Sequence, residues 1–86
     1  MVSEKICIVN PTGFQMLIAE QICNLAKEYE SEILFLKDNS ITNAKSILSI
    51  LGSGIHPKDE IELRCHGCDE KQALADVLKL LKIWNQ

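Results

Sequence analysis

The order of apolar and polar positions along the chain predicts seven secondary-structure elements. Four segments have the β-rich or alternating pattern of strands: 5–9, 32–37, 41–43 and 60–66. Three segments carry apolar residues at helical spacing: 15–29, 46–51 and 70 to about 84. The predicted order is therefore β-α-β-β-α-β-α.

Turn and capping residues separate these segments. Asp38-Asn39-Ser40 predicts a hairpin turn between the second and third strands, and Pro57-Lys58-Asp59 predicts a turn before the fourth. Ser46 is placed to cap the second helix, with Gly52 just past the end of that helix. Asp69 is placed to cap the last helix.

Three helices and four short strands are too few to cover both faces of a sheet. We therefore expect an α+β fold, an open-faced β-sandwich in which a four-stranded antiparallel sheet carries all three helices on one face. On the first and fourth strands, five side chains should face the helices: Ile6, Ile8, Ile61, Leu63 and Cys65. Their neighbours should face water: Lys5, Cys7, Glu62, Arg64 and His66.

Composition narrows the class of protein. The 86 residues show no linker or repeat, which predicts a single domain over 1–86. A net charge of −3 without a basic cluster gives no reason to expect nucleic acid as a partner. No apolar run approaches the roughly 20 residues of a membrane span. Because no export signal is apparent, we expect a cytoplasmic protein whose four cysteines remain thiols.

The stretch NPTGFQ, residues 10–15, predicts a tight turn that leads into the first helix. A helix entrance of this kind presents free backbone N–H groups and the positive end of the helix dipole, which favour an anion such as phosphate. No histidine, arginine or lysine stands between Gly13 and Gln21 to react with that anion. The sequence thus predicts a backbone that suits a phosphate site, but no side chain there that could react with the phosphate.

Three motifs resemble HPr, the histidine-containing phosphocarrier family of the bacterial sugar phosphotransferase system. They are NPTG at 10–13, NAKSI at 43–47 and GCDEKQAL at 67–74. The resemblance covers the whole chain, and NAKSI at its distance from the turn is the most specific part. It implies an open-faced β-sandwich of the kind that the pattern predicts.

In that family the turn is followed by a phosphoacceptor histidine, then after one residue by an arginine and a proline. The resemblance places Gln15, Leu17 and Ile18 at these positions. A glutamine amide nitrogen has no free lone pair and cannot accept a phosphoryl group as an imidazole does. Loss of the arginine removes a positive partner for phosphate oxygens. The resemblance thus implies a protein that is not an enzyme, with no catalytic residue and no cofactor.

One branch of the family, the catabolite-repression HPr-like proteins, also carries glutamine at the histidine position and keeps a regulatory serine. Ser46 in NAKSI matches that serine. The resemblance implies an HPr-type kinase/phosphorylase as a partner, with a catabolite-control transcription regulator or phosphotransferase-system proteins as further partners. A phosphate on Ser46 would meet free N–H groups, and Lys45 is adjacent. That branch retains the arginine, so Leu17 departs from it.

Three alternatives stay open. Ser46 is also explained as a helix cap alone. His56 is a conceivable replacement acceptor, since the family fold brings its loop near the first helix. The protein is otherwise explained as an interaction module that binds partners through Gln15, Met16, Leu17, Ile47, Leu48 and Leu51. We expect one of Met16 and Leu17 to pack into the core, and at least one of Ile47, Leu48 and Leu51 to be exposed.

The CHGC segment at 65–68 has the spacing of zinc ligands or a redox pair. A zinc site needs further ligands, and only Cys7, Cys23 and His56 remain, at unsuitable positions. We therefore expect no metal. Alternation predicts Cys65 inside and Cys7 outside, and helical spacing predicts that Cys23 is buried.

Overall fold

The computed structural model describes residues 1–86 and shows four strands and three helices in the predicted order. They are β1 (Val2–Cys7), α1 (Met16–Ala26), β2 (Glu32–Lys37), β3 (Ser40–Asn43), α2 (Ile47–Leu51), β4 (Glu60–His66) and α3 (Glu70–Trp84). The strands form one antiparallel sheet in the order β1-β4-β2-β3. None of the helices is long and apolar enough to cross a membrane.

β4 occupies the centre of the sheet and shows the predicted alternation. Ile61, Leu63 and Cys65 are buried, while Glu62 and Arg64 lie at the surface and form an ion pair of 3.1 Å. Leu63 stands opposite Phe35 of β2, and both side chains are fully buried. The predicted α+β sandwich is confirmed, with the helices on the face that carries Leu63.

The predicted bounds of β2, β4 and α3 agree with the structure. The prediction for the first strand was wrong: β1 starts at Val2, which pairs with Cys65, and ends at Cys7. Ile8 is buried but is no longer paired with β4. Its N–H donates to the Asp59 carbonyl at 2.8 Å, and its carbonyl accepts from Lys58 at 2.6 Å.

The predicted ends of α1 and β3 also need correction. α1 begins at Met16 and ends at Ala26, three residues before the predicted end. The N–H of Tyr29 donates to the Ala26 carbonyl, so the chain tightens from α-helical into a closing turn there. β3 includes Ser40, which stands opposite Lys37 across a two-residue turn.

Asp69 stands at the start of α3, but its side chain does not cap that helix. The carboxylate instead accepts the N–H groups of Glu30 and Ser31, each at 3.0 Å, and the hydroxyl of Ser31. Ser31 is fully buried, and a Cβ on Gly67 would lie 2.6 Å from it. Gly67, Asp69 and Ser31 thus fasten the start of α3 to the start of β2. We call this contact the Asp69 latch.

The Asp69 latch predicts a pH-dependent part of the stability. The hydrogen bond from Ser31 and that from the Glu30 N–H lower the pKa of Asp69. A lowered folded-state pKa stabilises the fold above the unfolded-state pKa, and this stabilisation is lost as the pH falls through the folded-state pKa. We expect Asp69→Asn to be less stable than the wild type at pH 7, with a difference that shrinks on acidification. Urea unfolding at several pH values measures it.

Asp38→Asn, in the exposed β2–β3 turn, removes a carboxylate without touching the Asp69 latch and is the matched control. A constant difference between Asp69→Asn and the wild type from neutral to acid pH would contradict the role given to the carboxylate.

Candidate functional site

The turn that precedes α1 is held by its own side chains. The Asn10 carboxamide oxygen accepts the Thr12 N–H at 2.9 Å and the Thr12 hydroxyl at 2.6 Å. Gly13 has a φ of +65°, a conformation that favours glycine. Gln15 is exposed, and its Nε2 donates to the Thr12 carbonyl at 3.1 Å. The Gln15 amide therefore folds back over the turn.

The end of α3 clamps the other side of this turn. The Asn85 side-chain oxygen accepts the N–H groups of Val9 and Asn10, each at 3.1 Å, and its Nδ2 donates to the Cys7 carbonyl at 3.1 Å. The Asn10 Nδ2 donates to the Trp84 carbonyl at 2.7 Å. These four hydrogen bonds join residues far apart in sequence, and we call them the Asn85 clamp. Sequence reasoning missed it, because the spacing of an asparagine does not indicate its long-range partners.

Aromatic packing supports the clamp from inside. The ring of Phe14, next to Gln15, lies 5.4 Å from the Trp84 ring and 5.4 Å from the Phe35 ring, centroid to centroid. Such tilted and edge-to-face arrangements are favourable beyond the area that they bury. The backbone at Gln15 is consequently tied to the sheet through Phe35 and to α3 through Trp84.

The loop that carries His56 packs against the turn, as the family resemblance implied. A Cβ on Gly13 would lie 3.2 Å from Pro57, which leaves room only for glycine without displacement. The Asp59 carboxylate accepts the His56 N–H at 2.7 Å and pairs with Lys37 at 2.6 Å. These contacts, the Lys37 hydrogen bond first, lower the pKa of Asp59. The imidazole of His56 lies at the surface, on the loop beside the Gln15 turn.

Met16 and Leu17 begin α1 on its outer side. The expectation that one of them packs into the core was wrong: Met16 is 52% exposed and Leu17 is 70% exposed. Ile18 and Ala19 take the inward positions of this turn of the helix, so the residues just before them point outward. Two adjacent large apolar side chains therefore face solvent immediately after Gln15.

Ser46 caps α2, as the sequence predicts. Its hydroxyl oxygen accepts the N–H of Ser49 at 3.2 Å, and the side chain is half-buried. Within α2, Leu48 is 82% exposed, Leu51 is also exposed and Ile47 is half-buried. The predicted exposure of this apolar group is confirmed, and α2 packs on α1.

Lys45 is adjacent to Ser46 in sequence but directs its ammonium elsewhere. Its Nζ donates to the Tyr29 carbonyl at 2.7 Å, just after the C-terminal end of α1. For Lys45 to pair with a phosphate on Ser46, this bond would have to break. In the structure, the polar partner of the Ser46 hydroxyl is the Ser49 N–H of its own helix.

Three cysteines lie where alternation and helical spacing placed them: Cys23 and Cys65 are buried, and Cys7 is exposed. Cys68, for which no placement was predicted, is exposed. Burial raises the pKa of the Cys65 thiol to about 11. Cys68 donates to the Glu30 carboxylate at 3.3 Å, which raises the pKa of that thiol. Protonated thiols are poor nucleophiles and poor metal ligands. No group of three or more His, Cys, Asp or Glu side chains is arranged to hold a metal ion.

A four-stranded antiparallel sheet under three helices, with a structured turn before α1 and Ser46 capping α2, is an open-faced β-sandwich. The model of the phosphotransferase-system (PTS) HPr component, described as its phosphorylation site, matches residues 2–82. The chain belongs to the PTS HPr family.

Known proteins agree with this placement. The phosphocarrier protein HPr of Buchnera aphidicola is 32% identical over 81 residues, which covers 94% of this chain and 95% of that protein. The HPr-like protein Crh of Bacillus subtilis is 31% identical over 74 residues, 86% of this chain and 87% of that protein. The crystal structure of HPr-C-His from Thermoanaerobacter tengcongensis superposes with a TM-score of 0.91 at 31% identity, covering 98% of this chain and 94% of that one.

The Asn85 clamp predicts that a residue far from α1 stabilises the turn. Asn85→Ala removes three hydrogen bonds and leaves the Val9 and Asn10 N–H groups without their partner. We expect a loss of about 1–3 kcal/mol in the free energy of unfolding, because each unpaired polar group costs energy. Urea unfolding followed by the fluorescence of Trp84, the only tryptophan, measures this loss.

Gln86→Ala, one residue further, is the matched control and should change stability by less than about 0.5 kcal/mol. Asn85→Asp keeps the acceptor and loses the donor, so its loss should lie between the other two. Equal stability of Asn85→Ala and Gln86→Ala would show that the clamp does not contribute.

Proposed function

We propose that this HPr-family protein is a non-catalytic regulatory or adaptor protein of carbon catabolite control, acting through phosphorylation of Ser46. The observation that carries the proposal is the half-buried Ser46 hydroxyl at the start of α2, beside the 82% exposed Leu48. The Crh relatives support it, since one solved Crh structure is described as a catabolite repression HPr. The proposed setting is the cytoplasm, with one HPr-like domain over 1–86.

The chemistry at Gln15 argues against an ordinary phosphocarrier. We place Gln15 at the family's histidine position and Leu17 at its arginine position. The Gln15 amide is conjugated, so its nitrogen has no lone pair with which to attack a phosphoryl group. That nitrogen already donates to the Thr12 carbonyl, and Leu17, two residues further along, supplies no positive charge. The well-built turn would then serve as a scaffold for protein contacts.

The surroundings of Ser46 are compatible with a phosphate. A phosphoserine adds about −1.5 to −2 charges and three acceptor oxygens. At the first turn of α2 these oxygens can accept backbone N–H groups, which include that of Ser49. Because Lys45 is bound to the Tyr29 carbonyl, the added charge would remain largely uncompensated by this chain. A partner that recognises the phosphorylated form would then supply positive charge itself.

The proposed partner surface combines the outer ends of α1 and α2. Its residues are Gln15, Met16, Leu17, Ile47, Leu48 and Leu51. Large exposed apolar side chains grouped on one protein commonly mark protein contacts. The proposed partners are an HPr-type kinase/phosphorylase, a catabolite-control transcription regulator and phosphotransferase-system proteins. Leu17 replaces a charged contact, so regulator binding should be weaker than in relatives with arginine there and stronger in Leu17→Arg.

Phosphorylation of Ser46 is the central test. With an active HPr-type kinase and ATP, intact-mass measurement should show one added phosphate, and Ser46→Ala should abolish it. Ser46→Ala loses the capping bond to Ser49, so we expect about 1 kcal/mol or less of lost stability. Ser53→Ala, which changes a nearby serine outside α2, is the matched control and should remain phosphorylated.

The regulatory proposal fails if the wild type shows no mass increase while an ordinary HPr is fully modified in the same reaction. An interaction module without phosphorylation would then be the better explanation. The observation that favours this second function is the exposure of Met16, Leu17 and Leu48. A residual phosphocarrier that uses His56 is a third candidate, favoured by the packing of Pro57 against Gly13.

The absence of a phosphohistidine relay is tested with phosphoenolpyruvate and the first enzyme of the phosphotransferase system. The wild type should take up no acid-labile phosphate, because Gln15 cannot accept it. Gln15→His should accept it weakly, and Gln15→His with Leu17→Arg about tenfold or more faster, since a hydrogen bond to a charged group contributes roughly 1.5–3 kcal/mol. Radiolabel on the wild-type protein that disappears in His56→Ala would instead identify His56 as the acceptor.

A further inference from the structure

The outer side of α3 carries a group of lysines that have no acidic partner in the chain. The exposed residues of this helix are Lys71, Gln72, Ala75, Lys79, Lys82 and Ile83. Positions 71, 75, 79 and 82 are three or four residues apart, so they share one side of the helix. Together with Ile83 we call them the lysine face. This face holds three of the nine Lys and Arg residues of the chain.

The acidic side chains of α3 are directed toward the rest of the chain. The Glu70 carboxylate pairs with the N-terminal ammonium at 2.9 Å and accepts the Gly67 N–H at 3.2 Å. The Asp76 carboxylate accepts the Tyr29 hydroxyl and a hydrogen bond of 2.9 Å from Gln72 Nε2. The ion pairs of the chain use other basic groups: the N-terminus, Lys37, Arg64 and His66. No carboxylate therefore lies within 4.0 Å of an ammonium group of the lysine face.

The stability of the helix does not account for all three lysines. Lys82 stands in the last turn of α3, where the negative end of the helix dipole stabilises a cation. Lys71 stands in the first turn, where the same dipole disfavours a cation. Its neighbour Glu70 is already bound to the N-terminal ammonium. A cation at a position where it costs stability indicates a contact outside this chain.

A groove opens beside these charges. It has a volume of about 450 Å³ and is lined by Ala75, Leu78, Lys79, Lys82, Ile83 and Gln86. Ile83 is 59% exposed and is the one large apolar side chain of α3 that lies mainly in solvent. Ala75 is the smallest residue of the lysine face, so another backbone can approach α3 most closely there. The lysine face thus combines positive charge with a small apolar area.

We infer that the lysine face docks an acidic segment of a partner protein, with an apolar side chain of that segment in the groove beside Ile83. Lys71 and Lys79 are about 12 Å apart along the helix axis, and Lys79 and Lys82 about 4.5 Å. Carboxylates at similar spacings on a helix of the partner reach all three ammonium groups. Ion pairs at the surface are individually weak and are screened by salt, so the complex is weak and salt-dependent. The inference does not depend on Ser46 phosphorylation.

The chemistry of the lysine face favours an acidic protein segment over other anionic partners. Anionic lipids are recognised by clusters of about four to eight basic residues, and one exposed isoleucine offers little apolar area to a bilayer. Single-stranded nucleic acid is bound by aromatic side chains that stack on its bases, and the exposed residues of α3 include none. The net charge of −3 opposes association with either extended anionic surface. A short acidic segment needs only the local face.

NMR titration of the labelled whole protein with a synthetic peptide tests the inference. The probe is an alanine-rich helical peptide of about 16 residues, with three glutamates spaced like the three lysines and one leucine beside them. We expect chemical-shift changes at the lysine face and a dissociation constant that rises with salt. The same peptide with glutamine in place of each glutamate should bind at least about tenfold more weakly.

Variants of the protein separate docking from folding and from net charge. Lys79→Glu should weaken binding of the glutamate peptide at least about fivefold, because it replaces an attraction with a repulsion. Lys5→Glu, opposite Glu62 on the sheet face without helices, changes the net charge equally and should alter binding by less than about twofold. Lys71→Glu should weaken binding yet raise the midpoint of urea unfolding, since the helix dipole favours a carboxylate in the first turn.

Three results would overturn the inference. Absent shift changes at millimolar peptide, or shift changes at Gln15 and Leu48 instead, would show that α3 is not the docking surface. Equal weakening by Lys79→Glu and Lys5→Glu would show an effect of net charge alone. Tighter binding of phosphatidylserine vesicles or of single-stranded DNA than of the peptide, lost in Lys79→Glu, would assign the lysine face to a membrane or a nucleic acid.

Discussion

The fold depends on the register of β4, the strand that pairs with both β1 and β2. Its buried residues Ile61, Leu63 and Cys65 must all face the helices, and a shift of one residue would turn all three toward water. Burial of an aliphatic side chain stabilises the folded state by roughly 1.5–3 kcal/mol, so the burial of Ile61 and Leu63 alone strongly disfavours the shifted pairing. Gly67 and Asp69 follow β4, and their contacts with Ser31 fix the position at which α3 starts.

From that starting point the length of α3 determines where its other end lies. The helix extends from Glu70 to Trp84, so Asn85 lies beside the turn before α1. The position of the turn at Gln15 therefore depends on three features in succession. These are the register of the sheet, the Asp69 latch and the Asn85 clamp. Hydrogen bonds hold the turn from both sides, although the Gln15 amide offers no nitrogen lone pair that could accept a phosphoryl group. The same constraints fix the start of α1, where Met16 and Leu17 are exposed.

The sequence pattern predicted the elements with strong periodicity and missed the contacts between distant residues. β4 and α3 agree with the predicted bounds because one face of each is consistently apolar. Asp69 was predicted as a cap because local spacing cannot show that Ser31 and Glu30 come within reach of its carboxylate. The exposure of both Met16 and Leu17 depends on which side of α1 faces the core. That orientation is visible only in the packed structure, where Ile18 points inward.

Leu48 lies two residues after Ser46 on the same short helix and is 82% exposed. A phosphate on Ser46 would therefore add negative charge at the border of an apolar contact. Because the Lys45 ammonium is bound to the Tyr29 carbonyl, this chain would leave that charge largely uncompensated. A partner that covers Leu48 would then need positive charge for the phosphate as well as apolar area for Leu48. The two requirements together select partners more narrowly than either does alone.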